Sequence, residues 1–176
     1  MTRFGLPLIL LAAAAFPAGA TTAQHNRAAA SLRNAQGQIV GEASAARAGN
    51  VVRLHLAVRG IAPGVHGVHL HQAGRCEAPD FVSAGPHWNP TSHQHGRLNP
   101  QGSHLGDLPN LVVGANGTGR MDFAVPVPAG TAAGANPLLD ADGTSVVIHA
   151  AADDLRTDPS GNSGARIACG VLTPVR

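Results

Sequence analysis

The chain contains no tyrosine and no lysine, so all twelve of its basic side chains are arginines. Aromatic residues make up 3% of it, with one Trp and four Phe. No basic run and no stripe of interleaved aromatics is present, which argues against nucleic acid as a partner. Charged residues are only 12% and the formal net charge is +2, a composition unlike that of a highly charged disordered chain. No convincing amphipathic helix follows the first twenty residues. Glycine and proline, by contrast, number 22 and 13, which points to many turns and short strands rather than long helices. A length of 176 residues suffices for one domain with its own hydrophobic core. The other excess is histidine. There are ten, eight of them between His66 and His149 and six between His66 and His95. Histidine is the commonest metal ligand, and this crowding argues against scattered polar surface positions.

The first residues read as an export signal rather than as fold. Arg3 supplies the positive start, Leu6 to Phe16 an apolar stretch broken by Pro7, and Ala18-Gly19-Ala20 the small-residue cleavage pattern. The apolar stretch is too short to span a bilayer. Cleavage is expected after Ala20, with Ala23 the second choice, giving a signal over 1–20 and a single domain over 21–176. No cysteine follows the cleavage region, so no stable membrane anchor is expected afterwards. Export implies an oxidising compartment, where Cys76 and Cys169 can pair. Closing a loop of 93 positions contributes about 4–5 kcal/mol in the chain-entropy account.

Along the mature chain, Val52, Leu54, Leu56 and Val58 alternate with Arg53 and His55, the pattern of a half-buried strand. Similar short runs cover Ala28–Arg33, Gln38–Ala43, Gly67–His71, Leu111–Val113, Met121–Val125, Ser145–His149 and Ala165–Leu172. Turn signals at 34–37, 47–50 and 115–119 separate several of them. About eight strands with such punctuation predict an all-β barrel or sandwich. Two segments are too long for hairpin loops, Gln72–Asn110 and Ala150–Gly164, and long loops in a compact domain are usually functional.

The chemistry gathers on these loops and their flanking strands. On a strand, residues two apart share a face, so His69 and His71 project together as a bidentate metal clamp. His87 follows in the proline-stiffened Gly85-Pro86-His87-Trp88-Asn89-Pro90. His95, His104 and Asp107 come after it at intervals of eight, nine and three, and His149 ends another strand.

Together with Gly64-Val65-His66-Gly67-Val68-His69-Leu70-His71, His104-Leu105-Gly106-Asp107-Leu108 and Gly161-Asn162-Ser163-Gly164-Ala165-Arg166-Ile167-Ala168-Cys169-Gly170, this pattern resembles copper–zinc superoxide dismutase. The resemblance runs from about Ala28 to Thr173. It implies a Greek-key β-barrel, or flattened sandwich, of about eight antiparallel strands with two long metal-site loops. It implies that His69, His71 and His149 bind copper, that His87 is shared by both metals, and that His95, His104 and Asp107 complete a zinc site. One copper and one zinc per subunit follow. Cys76 and Cys169 match the family's intrachain disulfide, Arg166 the arginine that guides the anion, and Asp153 the carboxylate linking a copper-side to a zinc-side imidazole. The implied activity is dismutation of superoxide anion to dioxygen and hydrogen peroxide, with His87 and Arg166 catalytic.

The donor sets agree with those metals. Four imidazoles suit tetragonal Cu(II), and three imidazoles with one carboxylate suit a closed tetrahedral Zn(II) site. A full zinc set weighs against a zinc hydrolase, which needs an open position. The principal alternative is a non-catalytic copper and zinc buffer on the same barrel, which would need neither Arg166 nor a shared His87. The distribution of residues between His71, Cys76 and His87 resembles bacterial secreted members, implying a periplasmic location and a monomer or a homodimer whose surface differs from that of animal members. Among the other histidines, His66 is expected to tie a loop to the barrel through backbone groups. His93 is expected to stand outside the zinc set, His55 to lie on the surface and His25 in a tail. Trp88 is expected to pack.

Overall fold

The computed structural model describes residue 1, residues 26–131 and residues 136–175. Apart from Met1, the segment read as an export signal lies outside the described residues, as do both cleavage alternatives and His25. Ten strands are present among the described residues: β1 (Arg27–Asn34), β2 (Ile39–Ala48), β3 (Val51–Val58), β4 (Gly64–His66), β5 (Val68–His71), β6 (Leu111–Val113), β7 (Gly119–Pro126), β8 (Ser145–His149), β9 (Arg166–Val171) and β10 (Thr173–Pro174). One 3₁₀ turn, Val82–Ala84, is the only helical element among them.

Alternation explains the strands. In β3, Val52, Leu54, Leu56 and Val58 are buried while Arg53 and His55 are exposed, as a sheet with one solvated face requires. The predicted turns close β1 on β2, β2 on β3 and β6 on β7, and Gly49 at φ 63° supplies the left-handed residue in the tight loop before β3. The strand order is β4-β6-β7-β3-β2-β1-β9-β8-β5, with β10 beside β1, and every pairing of named strands is antiparallel. The chain leaves β3 and skips past β7 and β6 to form β4, a Greek-key connection. The two ends of the order, β4 and β5, are separated in the chain only by Gly67, so the sheet curls into a nearly closed barrel.

Two boundaries differ from the sequence pattern. The run Gly67–His71 is divided, because Gly67 leaves the ladder: its N–H donates to Ala151 O at 2.8 Å and its carbonyl accepts from His149 N at 2.9 Å. A Cβ at Gly67 would meet Ser163 Cβ at 2.9 Å, so the later loop packs directly on this backbone. The run Ala165–Leu172 ends as a strand at Val171, and Thr173–Pro174 beyond it form the short β10, which the sequence pattern did not signal and which pairs with β1.

The core is aliphatic. Leu32, Leu54, Leu56, Leu70, Leu108, Leu111, Val146 and Ile148 are buried inside it, with Trp88 packed at its edge. Each such side chain contributes roughly 1.5–3 kcal/mol on burial. A second, smaller cluster joins Phe81, Ala84, Val147 and Cys169, with Cys76 against it. It holds the long segment 72–110 to the outside of the sheet. The Cys76–Cys169 disulfide is formed there, with an S–S distance of 1.98 Å.

Candidate metal centre

Strand β5 turns Val68 and Leu70 into the core and His69 and His71 to the opposite face. Strand β8 ends beside it with His149. The segments 72–110 and 150–165 then fold over that face and bury it. They are laced together: Leu98 N–H donates to Leu155 O at 2.9 Å, and His95 N–H donates to Asp158 Oδ1 at 2.6 Å.

Three ring orientations on this face are set by oxygen acceptors. His71 Nδ1 donates to Gly85 O at 2.8 Å, His149 Nδ1 to Gly164 O at 3.1 Å and His69 Nε2 to the Asp153 carboxylate at 2.8 Å. An oxygen of this kind can only accept, so each facing nitrogen carries the hydrogen. The other nitrogen of each ring, His69 Nδ1, His71 Nε2 and His149 Nε2, is buried and has no partner. Three buried lone pairs without donors form an arrangement that a cation would satisfy. His69, His71, His87 and His149 each offer a ligand atom within 4.8 Å of the others.

A second set centres on Asp107 Oδ1. It lies 2.9 Å from His87 Nδ1, 3.0 Å from His95 Nδ1 and 3.1 Å from His104 Nδ1, and His87 and His104 Nδ1 are 3.3 Å apart. A tetrahedron with bonds of about 2.0 Å has edges of about 3.3 Å, so these four atoms have the span of one closed four-coordinate site. A grouping with His69 in place of His104 also falls within 4.8 Å. His104 is the better fourth member, because its Nδ1 lies 3.1 Å from Asp107 Oδ1, whereas the free nitrogen of His69, Nδ1, belongs with His71 and His149 in the first set. Asp107 Oδ2 is fixed by the N–H groups of Gly96 and His104 at 2.9 and 3.0 Å. His87 belongs to both sets.

Asp153 spans them. Its fully buried carboxylate accepts from His69 Nε2 on one oxygen and from His95 Nε2, at 3.0 Å, on the other. Sequence reasoning missed what holds Asp153: the Asn110 side-chain amide pairs with its backbone, Nδ2 to O and Oδ1 to N, both at 2.8 Å. Nothing in the pattern around Asn110 signals that pairing, which joins residues 43 apart.

Electrostatics keeps the first set in its ligand form. Burial pushes His69 down to about 3, His71 to about 2 and His149 to about 4, and lowers His87, because a buried imidazolium loses its hydration. For His95 burial also opposes the charged form, but hydrogen bonds to Asp107 and Asp153 outweigh it and raise the ring to about 9. Burial favours the neutral carboxyl of Asp107, but bonds from His104, His87 and His95 prevail and hold it well below the usual carboxylate range.

Arg166, at the start of β9, lines an open cleft of ≈ 800 Å³ together with His87, His149, Asn89 and Asp158. Its Nη1 donates to Phe81 O at 2.7 Å and its Nη2 to Gly85 O at 2.8 Å. His93 stands outside both donor sets, exposed, with Nδ1 3.2 Å from Ser103 O. His66 bonds backbone alone, 2.8 Å from His149 O and 2.9 Å from Ala62 O, tying the segment before β4 to the end of β8. His55 is on the surface, as expected, and pairs across strands with Asp122 at 2.8 Å.

A nearly closed Greek-key barrel carrying six histidines and an aspartate in two adjoining buried sets defines a class of all-β proteins with a paired, imidazole-rich metal centre. Residues 35–172 match the family model described as copper/zinc superoxide dismutase (SODC). The chain is 42% identical over 147 residues to a Cu-Zn superoxide dismutase of Caulobacter vibrioides, covering 82% of this chain and 84% of that one. It is 38% identical over 154 residues to a second, Superoxide dismutase (Cu-Zn) 2 of Aquifex aeolicus, covering 87% and 90%. Among solved structures, a SOD-like protein from Bacillus subtilis superposes with a TM-score of 0.75 at 40% identity, over 82% of this chain and 97% of that one. The chain belongs to the copper/zinc superoxide dismutase family.

Proposed function

We propose that this chain dismutates superoxide to dioxygen and hydrogen peroxide. The observation that carries the reading is the convergence of three buried, partnerless imidazole nitrogens on His87, beside an arginine that opens to the same cleft. The residues fit the two metals of the family. His69, His71, His87 and His149 would hold copper, and His87, His95, His104 and Asp107 would hold zinc. When bound, copper supplies one-electron redox chemistry and zinc a fixed positive charge.

The chain's own residues do the rest. Arg166 offers a guanidinium, restrained by two carbonyls, as the docking point for a small anion in the cleft. A charged, low-dielectric cleft raises the local concentration of an oppositely charged substrate. With Nδ1 of His87 committed to the Asp107 set, Nε2 is the nitrogen left to take up a proton and return it to reduced substrate. Asp153 orients His69 and His95 together, so the geometry of one set constrains the other. Gly85 O and Gly164 O fix the rings of His71 and His149.

Residues 1–20 would act as the export signal and the periplasm would be the destination, a reading supported by the leader pattern and by a disulfide suited to an oxidising compartment. The mature chain from Thr21, loaded with both metals, is to be assayed for superoxide decay beside His71→Ala and Arg166→Ala. Near-diffusional decay, roughly 10⁸–10⁹ M⁻¹s⁻¹, that His71→Ala abolishes and Arg166→Ala reduces supports the reading. Stoichiometric binding of both metals without dismutation refutes it and leaves a metal buffer as the better account.

A further inference from the structure

Arg166 reaches the cleft from the end of a strand, yet the groups that restrain its tip come from elsewhere. Both acceptors, Phe81 O and Gly85 O, lie on one short segment that is a surface loop, with its neighbour Val82 65% exposed. The position of the guanidinium is therefore only as definite as the position of this loop. Phe81 is the part of the loop turned inward. The residue is 1% exposed and packs with Ala84, Val147, Cys169 and Cys76. Its backbone sits at φ 55°, ψ 25°, in the left-handed region that a bulky L-residue enters only at a cost. Glycine would meet that backbone requirement without strain, so the conformation does not account for an aromatic residue here. Burial of the ring does.

The same turn directs the Phe81 carbonyl, which accepts from both Arg166 Nη1 and Ala84 N, the latter at 3.1 Å. Just before Phe81 in the chain is Asp80, the acidic side chain that acts on Arg166 through space. A loosened loop would let that carboxylate draw the guanidinium from the cleft. We propose that Phe81 is a positioning residue for Arg166: its ring, seated against the Cys76–Cys169 disulfide, fixes the carbonyl that aims the guanidinium into the cleft. The inference rests on the reading of Arg166 as the anion's docking point.

The test is a double-mutant cycle on the copper- and zinc-loaded protein, using Phe81→Gly, Arg166→Ala and the pair. Azide, a small monovalent anion, is titrated and followed by the copper absorption band, with superoxide decay measured in parallel. Metal content and the copper EPR spectrum without azide establish that the centre itself is unchanged. Phe81→Gly is expected to weaken azide binding on the order of threefold to tenfold, and to have no further effect once Arg166 is alanine. Phe81→Leu, which keeps a smaller buried anchor, gives a partial loss and serves for the cycle if the glycine variant does not fold. An unchanged azide affinity in both Phe81 variants overturns the proposal. So does a Phe81 loss that persists in the Arg166→Ala background, which leaves Arg166 as the anion's docking point. If Arg166→Ala itself leaves azide affinity unchanged, the reading of Arg166 falls and the Phe81 proposal falls with it.

Discussion

Reducing the Cys76–Cys169 disulfide in the metal-free protein should cost a third or more of the stability of the domain. The bond closes a loop of 93 positions, and the chain-entropy relation gives about 4.6 kcal/mol at 25 °C for a loop of that size. Domains of this kind have a total of about 5–15 kcal/mol, so the loss is about a third of the stability at the upper end of that range and nearly all of it at the lower. A reductant is a cleaner perturbation than substitution. Cys169 is 1% exposed and packed with Phe81 and Val147, and alanine there would add a cavity cost. The assay is urea denaturation of the metal-free chain with and without reductant. With a slope near 2 kcal/mol per molar, the midpoint should fall by roughly 2–3 M. A fall below about 0.5 M would refute the reasoning, because the unfolded chain would then gain little freedom from opening the loop.

Other outcomes follow from the same geometry. Adding zinc and copper to the metal-free protein should raise its stability, by about 2.7 kcal/mol at a free metal concentration one hundred times the dissociation constant. A melting temperature insensitive to metal would mean that the buried imidazole lone pairs are satisfied otherwise. Gly161→Ala should weaken metal retention against a chelator by about 10- to 100-fold, because a Cβ at φ 63° would overlap the Asp153 carboxylate and lie 2.7 Å from His95 Nε2. Gly37→Ala, also at positive φ but with nothing within 4 Å, should retain metal normally; equal losses in the two variants would deny Asp153 its orienting role. Asp154 is lowered from 3.8 to about 2, first by the Thr157 hydroxyl and then by the backbone N–H groups of Thr157 and Arg156. A depressed carboxylate stabilises above its unfolded value and loses that effect as pH falls through its folded value. Amide protection over 155–162 should therefore hold at pH 5 and drop near pH 2, and protection unchanged at pH 2 would exclude Asp154 as the organiser of that turn. Leu56→Ala, at a fully buried core position, should cost about 2.7–5 kcal/mol in a denaturation experiment, whereas a loss under 1 kcal/mol would mean that the site collapses around the smaller side chain.

Local physics made much of this protein legible in its sequence. The period of two in Val52–Val58 expresses which face of a strand meets water, so the core face of β3 needed no structure to identify. The same period put His69 and His71 on one side of β5 and made them candidates for a metal clamp. Spacing and motif singled out His95 rather than His93, and in the fold it is His95 Nδ1 that lies 3.0 Å from Asp107 Oδ1 while His93 is exposed beside Ser103. Other features depend on contacts between residues far apart in the chain, which carry no local period. Gly67 breaks a run that reads as one strand because residues 151 and 149 take its hydrogen bonds. Thr173–Pro174 leaves β9 to pair with the first strand. Asn110 holds Asp153 through two bonds that no sequence interval announces. Phe81 reads as one apolar residue in a loop until its burial against Cys169 and its carbonyl on Arg166 are seen together. Residue types and intervals thus determined which side chains could serve as ligands and which faces form the core. Only the tertiary structure decided which nitrogen of each ring is free and what restrains the arginine beside them, because each of those depends on a partner brought up by folding.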